Sequence, residues 1–236
     1  MNKENKKLTQ RNMSFCTPVT TSHTIPKRRI QHKNKRHTST IAEKTKWRSL
    51  MAHLNSLERE DRAAELSSLR GPMGWNVLHM LCWNAAPLDI IGRVANICPD
   101  LVSEVDLLGR TPLHIALCFF APNLEVVSFL LTVDRAALSI QDKHGKTPLA
   151  YACENAGKAD VTTDMRRSLI KALVKANPYT IFVEDNEGIS PIERALCSNA
   201  PMGIVETLQR YSMYMRRQEC AERYRKAVKT NRTHTQ

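Results

Sequence analysis

Histidine, cysteine and a Gly-Lys-Thr tripeptide are the residues of this chain whose types and spacing suit chemistry. His114 stands in DLLGRTPLHIA (106–116) and His79 in GWNVLHMLC (74–82). An imidazole can serve as a general base or metal ligand, but each role needs an acid, a nucleophile or a second ligand nearby. The chain has seven cysteines, an odd number. Five of them, Cys82, Cys98, Cys118, Cys153 and Cys197, fall in apolar helical patterns, and none forms a CxxC pair. That argues against a disulfide framework or zinc ribbon and for reduced thiols in an intracellular protein. GKT at 145–147 resembles the end of a phosphate-binding loop. The glycine five residues earlier is missing, since position 140 is Ile140, and no strand-loop-helix context surrounds it. No G-x-S-x-G, HExxH or GxGxxG occurs.

The elements that must position these residues recur. GWNVLHMLC, DLLGRTPLHIA, DKHGKTPLAYAC (142–153) and DNEGISPIERAL (185–196) share one plan. Their anchors, Leu78, Leu113, Leu149 and Ile192, are spaced by 35, 36 and 43 residues. A period in this range marks a stacked repeat architecture. After each anchor runs a short helix ending in a small residue, Ala86, Ala121, Gly157 or Ala200. A second apolar helix follows. Ile90, Ile91, Val94 and Ala95 align with Val126, Val127, Leu130 and Leu131 and with Leu169, Ile170, Leu173 and Val174. Their spacing places each set on one helical face, and the last repeat offers Ile204, Val205 and Leu208. Gly109, Gly145 and Gly188 stand where a tight turn wants positive φ. Thr111, Thr147 and Ser190 suit the N-cap, whose hydroxyl accepts from a free helix-end N–H. Pro112, Pro148 and Pro191 follow at the first helical position, where a missing N–H costs nothing.

This pattern resembles the ankyrin repeat, whose hallmark is G-x-T-P-L-H-x-A. The second copy matches it at Gly109, Thr111, Pro112, Leu113, His114 and Ala116. The third keeps Gly145, Thr147, Pro148, Leu149 and Ala152 but has Ala150 in the histidine position; the fourth has Ser190, Pro191, Ile192, Glu193 and Ala195. The first has Gly74, Leu78 and His79 without the Thr-Pro pair. The resemblance covers about four repeats, residues 71–212. It implies an all-α solenoid of helix-turn-helix repeats and a histidine that hydrogen-bonds within and between neighbouring TPLH turns. Ala150 and Glu193 fit that scaffold role better than a repeated reaction centre. Cys82 and Cys153 share one column of the repeat, and Cys118 and Cys197 the next. Stacked equivalents lie roughly 8–10 Å apart, beyond disulfide reach of about 7 Å, so these cysteines read as small buried apolar packing. No catalytic residue, metal or cofactor is expected.

The domain layout follows from composition. Residues 1–44 are basic and poor in apolar side chains, the signature of a disordered tail. Trp47, Leu50, Met51, Leu54 and Leu57, continued by Ala63, Ala64, Leu66 and Leu69, predict a helical N-terminal cap over 45–70 within a repeat domain of 45–212. A basic C-terminal helix and tail follow at 213–236. The net charge of +12 is unevenly placed: +11 over 1–48, −5 over 49–209 and +6 over 210–236. The extra residues of the third repeat fall in NAGKADVTTDM (155–165) and read as a tolerated polar loop insertion rather than a partner contact. The start, MNKENKKLTQ, carries no apolar signal region. The longest apolar stretch, VVSFLLTV at 126–133, is far short of a membrane span. The expected residence is therefore intracellular, cytoplasm or nucleus.

These features point to a non-catalytic module that binds a protein partner, with no membrane or small-molecule substrate. In ankyrin repeats the concave helix face and the inter-repeat fingers hold the partner. The resemblance carries that role to Trp83, Phe119 and Phe120 on the helices and to Leu107, Leu108, Arg110, Lys143, His144 and Lys146 on the fingers, beside Asn186, Glu187 and Ile189. The three aromatics are either binding hot spots or packed against the cap and one another. Leu107 and Leu108 stand out because turn tips are normally polar. Lys27, Arg28, Arg29, Lys33, Lys35 and Arg36 form a cluster that serves as a nuclear import signal, a nucleic-acid contact or a solvated tail. The alternative reading is a nucleus-directed regulatory protein whose basic tails contact nucleic acid.

Overall fold

The computed structural model describes residues 58–118, 123–158 and 162–233, with Ser49, Ala52, Asn55 and Ser56 ahead of them. The basic cluster at 27–36, the 1–44 tail, the cap residues Trp47, Leu50, Met51, Leu54 and Leu57, and Phe119 and Phe120 lie outside the described residues. The described residues form one compact unit. It is all-α, with no strand among the described residues.

Helix α1 (Arg59–Ser68) is followed by four helix pairs: α2 (Val77–Trp83) with α3 (Leu88–Ile97), α4 (Pro112–Leu117) with α5 (Leu124–Val133), α6 (Pro148–Glu154) with α7 (Thr163–Ala176), and α8 (Pro191–Cys197) with α9 (Met202–Thr233). The short helices stack in one layer and the longer ones in the other. Each short helix starts on a capping side chain. Thr111, Thr147 and Ser190 accept from the backbone N–H three residues on, with proline at the first helical position. In the first repeat Asn76 caps the helix instead, and its Oδ1 accepts from the His79 N–H at 3.0 Å. The cap there is a different residue type, which is why the missing Thr-Pro pair does not break the repeat.

The layers meet in one continuous core. Leu78, Leu113 and Leu149 are fully buried. The matched faces of α3, α5 and α7, and Ile204, Val205 and Leu208 of α9, are buried as well. A third buried column comes from short 3-10 turns that close the first three repeats: Leu101 and Val102, Ala137 and Leu138, and Thr180 and Ile181. At the N-terminal end Leu66 of α1 is fully buried and Ala63 packs on the core, while Ala64 is exposed.

Two expectations from sequence need correction in the helical layers. The 155–165 insertion is not one polar loop. Thr163, Asp164 and Met165 belong to α7, which has 14 residues against 10 in α3 and α5. At the other end Asn155 and Ala156 are buried. The Asn155 amide donates to Leu117 O of the preceding repeat at 2.9 Å, and the buried Arg166 guanidinium donates to Asn155 O. The described ends of the insertion therefore lengthen a helix and anchor a turn, while 159–161 lie outside the described residues. Cys197 is exposed, not buried, while Cys82, Cys98 and Cys153 are buried and Cys118 is intermediate. The reason is position: no further short helix stacks on α8, so Leu196 is 50% exposed where its counterpart Leu117 is 1% exposed.

Helix α9 runs unbroken across position 212. Ser212 and Met215 are buried, and the Arg216 guanidinium lies 5.7 Å from the centre of the Phe182 ring. Beyond that point Arg217, Arg223, Arg225 and Lys226 are exposed.

Candidate functional site

The fingers are the turns that lead into α4, α6 and α8, and each is built on one aspartate. Oδ1 of Asp106, Asp142 and Asp185 accepts two backbone N–H groups across its turn: Leu108 and Arg110, His144 and Lys146, and Glu187 and Ile189. This side-chain bonding holds the turn open for glycine at its tip, with φ of 77° at Gly109, 75° at Gly145 and 73° at Gly188. The outer oxygen, Oδ2, finds a different partner each time. Arg110 Nε and Nη2 donate to Asp106 at 2.8 and 2.7 Å, the Tyr151 hydroxyl to Asp142 at 2.7 Å, and the Arg194 guanidinium to Asp185.

Arg110, expected at the exposed tip of its finger, turns inward instead. It is 3% exposed, locked to a buried carboxylate and lying 6.0 Å from the Trp75 ring centre, while Trp75 Nε1 donates to the same Asp106 Oδ2 at 3.0 Å. Burial alone would raise the Asp106 carboxyl, but the guanidinium and the turn amides hold it below its ordinary range. Lys146 is also tied inward, at 2.8 Å from Glu154 and 5.9 Å from the Tyr151 ring centre. Trp83 is half-buried and packs at a tilt on Trp75, ring centres 5.2 Å apart.

The histidines stitch neighbouring turns together. His114 Nε2 lies 3.2 Å from Lys146 O, and His79 Nε2 lies 2.7 Å from Arg110 O. A carbonyl only accepts, so Nε2 carries the proton in both rings. Nδ1 then accepts from the cap: the Thr111 N–H at 3.1 Å and the Asn76 N–H at 3.3 Å. Both rings are fully buried. Burial pushes His114 down to about 4, against the raising effect of its bond to Lys146, and it lowers His79 as well. Neutral, enclosed imidazoles with both nitrogens engaged position backbone; they offer no free lone pair to a metal or substrate. Among the described residues no three His, Cys, Asp or Glu side chains cluster closely enough to hold a metal ion.

Backbone hydrogen bonds also run from finger to finger. Leu107 N donates to Met73 O at 2.8 Å, Lys143 N to Leu108 O at 2.8 Å, and Asn186 N to His144 O at 2.9 Å. The three fingers and the Met73 turn before α2 therefore form one continuous edge. Its first end is apolar: Leu107 is 63% exposed, flanked by Val105 at 50% and Met73 at 44%. Its middle is basic, with Lys143 and His144 exposed, and its far end carries exposed Asn186 and Glu187. Leu108 is half-buried. Sequence reasoning misses Met73 and Val105, yet the register holds a clue. Gly74 aligns with Gly109, which puts Met73 in the column of Leu108 and Trp75 in that of Arg110.

A family model described as ankyrin repeats, three copies, matches residues 78–165. No curated protein matches the chain. No helix among the described residues is long and apolar enough to cross a membrane. The α8–α9 pair continues the same stacking beyond the matched span. The capped helices α4 and α6, the Asp106 and Asp142 fingers and the interlocking histidines thus fall within the matched residues, and residues 78–165 are ankyrin repeats.

Proposed function

We propose that this chain is a non-catalytic binding module that holds a protein partner along its finger edge. Ankyrin repeats are in general protein–protein interaction modules. The observation that carries the finer reading is the exposed leucine on a braced turn: Leu107 stands 63% exposed while its own N–H is bonded to the neighbouring finger. A large apolar side chain held in water by a rigid backbone loses little entropy on docking and supplies the anchor such interfaces need. Burying it contributes about 1.5–3 kcal/mol. Lys143 and His144, next along the edge, complement an acidic segment of the partner.

Affinity capture with the full chain, its Leu107→Asp variant and its Lys143→Glu variant tests this. Partners retained by the parent are lost from L107D and weakened in K143E, while both variants keep the parent's thermal midpoint, because neither side chain packs inside the fold. The same partners in all three baits would refute the finger edge.

The exposed basic end of α9, Arg217, Arg223, Arg225 and Lys226, supports a second reading, in which basic ends contact nucleic acid and the repeats bind a protein. Binding to duplex DNA would then fall steeply with salt and drop on deletion of residues 1–44. Absence of binding at low salt would eliminate it.

A further inference from the structure

A cleft of about 220 Å³ opens between α7 and α9, and it is lined by Arg167 and Lys171 from α7 and by Gly203, Glu206, Arg210 and Tyr211 from α9. Three cations face one lining carboxylate. The cations are poorly neutralised: Arg210 lies 3.8 Å from Glu206 and Arg167 3.9 Å from Asp164, both long contacts with exposed partners. Such pairs contribute little and are readily exchanged. Arg167 Nε is itself shielded from solvent and has no hydrogen-bond partner among the described residues, although the side chain as a whole is 37% exposed. A shielded N–H without an acceptor is costly, and a native structure seldom keeps one without a reason. Gly203 bears on the same point. A Cβ there would overlap Arg167 Nη2, so only glycine lets the guanidinium lie against the first turn of α9.

We infer that this cleft is an anion site whose ligand is a phosphate monoester, held by Arg167, Lys171 and Arg210. A guanidinium offers paired N–H donors that match phosphate oxygens, and the lysine adds a point charge. The volume exceeds that of a bare oxyanion, since a water molecule's share of liquid is about 30 Å³. The site therefore has room for the phosphate and the group that bears it. Tyr211, half-buried at the wall, gives that group an apolar surface. Two sources share this chemistry, a small phosphate ester and a phosphorylated side chain of a protein.

The test follows the Arg167 Nε–H resonance of the full chain by NMR during separate titrations with O-phosphoserine, a phosphoserine peptide, inorganic phosphate, serine, and sodium chloride at matched ionic strength. The expected result is a saturable shift with the two phosphoserine compounds and weaker binding of inorganic phosphate. Tighter binding of the peptide than of O-phosphoserine names a protein side chain as the source; equal binding names a small ester. Lys171→Gln and Arg210→Gln, both on solvent-facing helix surfaces, each weaken binding about tenfold with unchanged backbone spectra, as expected for one charge-assisted bond. Lack of any saturable shift, the same shift with serine or chloride, or unaltered affinity in both variants would overturn the assignment.

Discussion

The buried histidine of the second repeat makes a quantitative prediction about pH. His114 is fully enclosed, donates to Lys146 O and is held neutral down to about pH 4. In the unfolded chain an imidazole takes up its proton near pH 6.5. Between these two values the unfolded state binds more protons than the folded one, so stability falls as pH drops through the window. The contribution is complete above about pH 6.5 and levels off below about pH 4. The loss between pH 7.5 and pH 4.5 corresponds to about 2–3 kcal/mol. Carboxylates titrate in the same region, so the group must be isolated by difference. His114→Gln is the suitable reference: its side-chain amide can still donate toward Lys146 O but does not titrate. Urea unfolding followed by circular dichroism at several pH values gives the stability of each protein. At pH 7.5 the parent is the more stable, because the glutamine cannot also accept from the Thr111 N–H. As the pH falls to 4.5, the parent loses about 2–3 kcal/mol more than the variant, so the gap closes or reverses. Two parallel curves across this range, or a parent that gains on the variant, would refute the account of a buried neutral ring.

Three further outcomes follow from the same geometry. Arg110→Met leaves the Asp106 carboxylate buried without its guanidinium and should cost about 3–5 kcal/mol in urea unfolding; a loss under about 1 kcal/mol would show that the pair is not enclosed. Gly145→Ala should cost more than Gly188→Ala. Both glycines have positive φ, a strain of roughly 1–2 kcal/mol for alanine, but a Cβ on Gly145 would meet Asn186 Oδ1 at 2.5 Å, whereas nothing lies within 4 Å at Gly188. Equal losses would mean that the fingers do not pack as described. In native maleimide labelling mapped by mass spectrometry, exposed Cys197 and Cys220 react, while Cys82, buried and pushed up to about 12, is protected together with buried Cys153. Rapid native labelling of Cys82 would contradict the core.

Local features were legible in the sequence because they obey short-range rules. Glycine at a turn tip, a hydroxyl before proline and apolar residues on one helical face are each set by the chain's own geometry within a few residues. Repetition of that unit at Leu78, Leu113, Leu149 and Ile192 then told of stacking, since one such unit cannot bury its face alone. Exposure and ion pairing that depended on a neighbouring repeat were not legible. Arg110 and Lys143 both occupy finger positions in the sequence, yet one is buried against Asp106 and the other is exposed. Cys118 and Cys197 share a column, but only the former has another short helix stacked beyond it. The insertion read as loop is partly helix, because α7 extends by another turn and Asn155 bonds back to Leu117. The cleft holding Arg167 and Arg210 joins residues from two helices whose pairing no local pattern reports. The sequence alone determined the repeat unit and its caps through local backbone preference. Tertiary structure decided exposure, ion pairing and the cleft, because each is a property of what the adjacent layer places against a side chain.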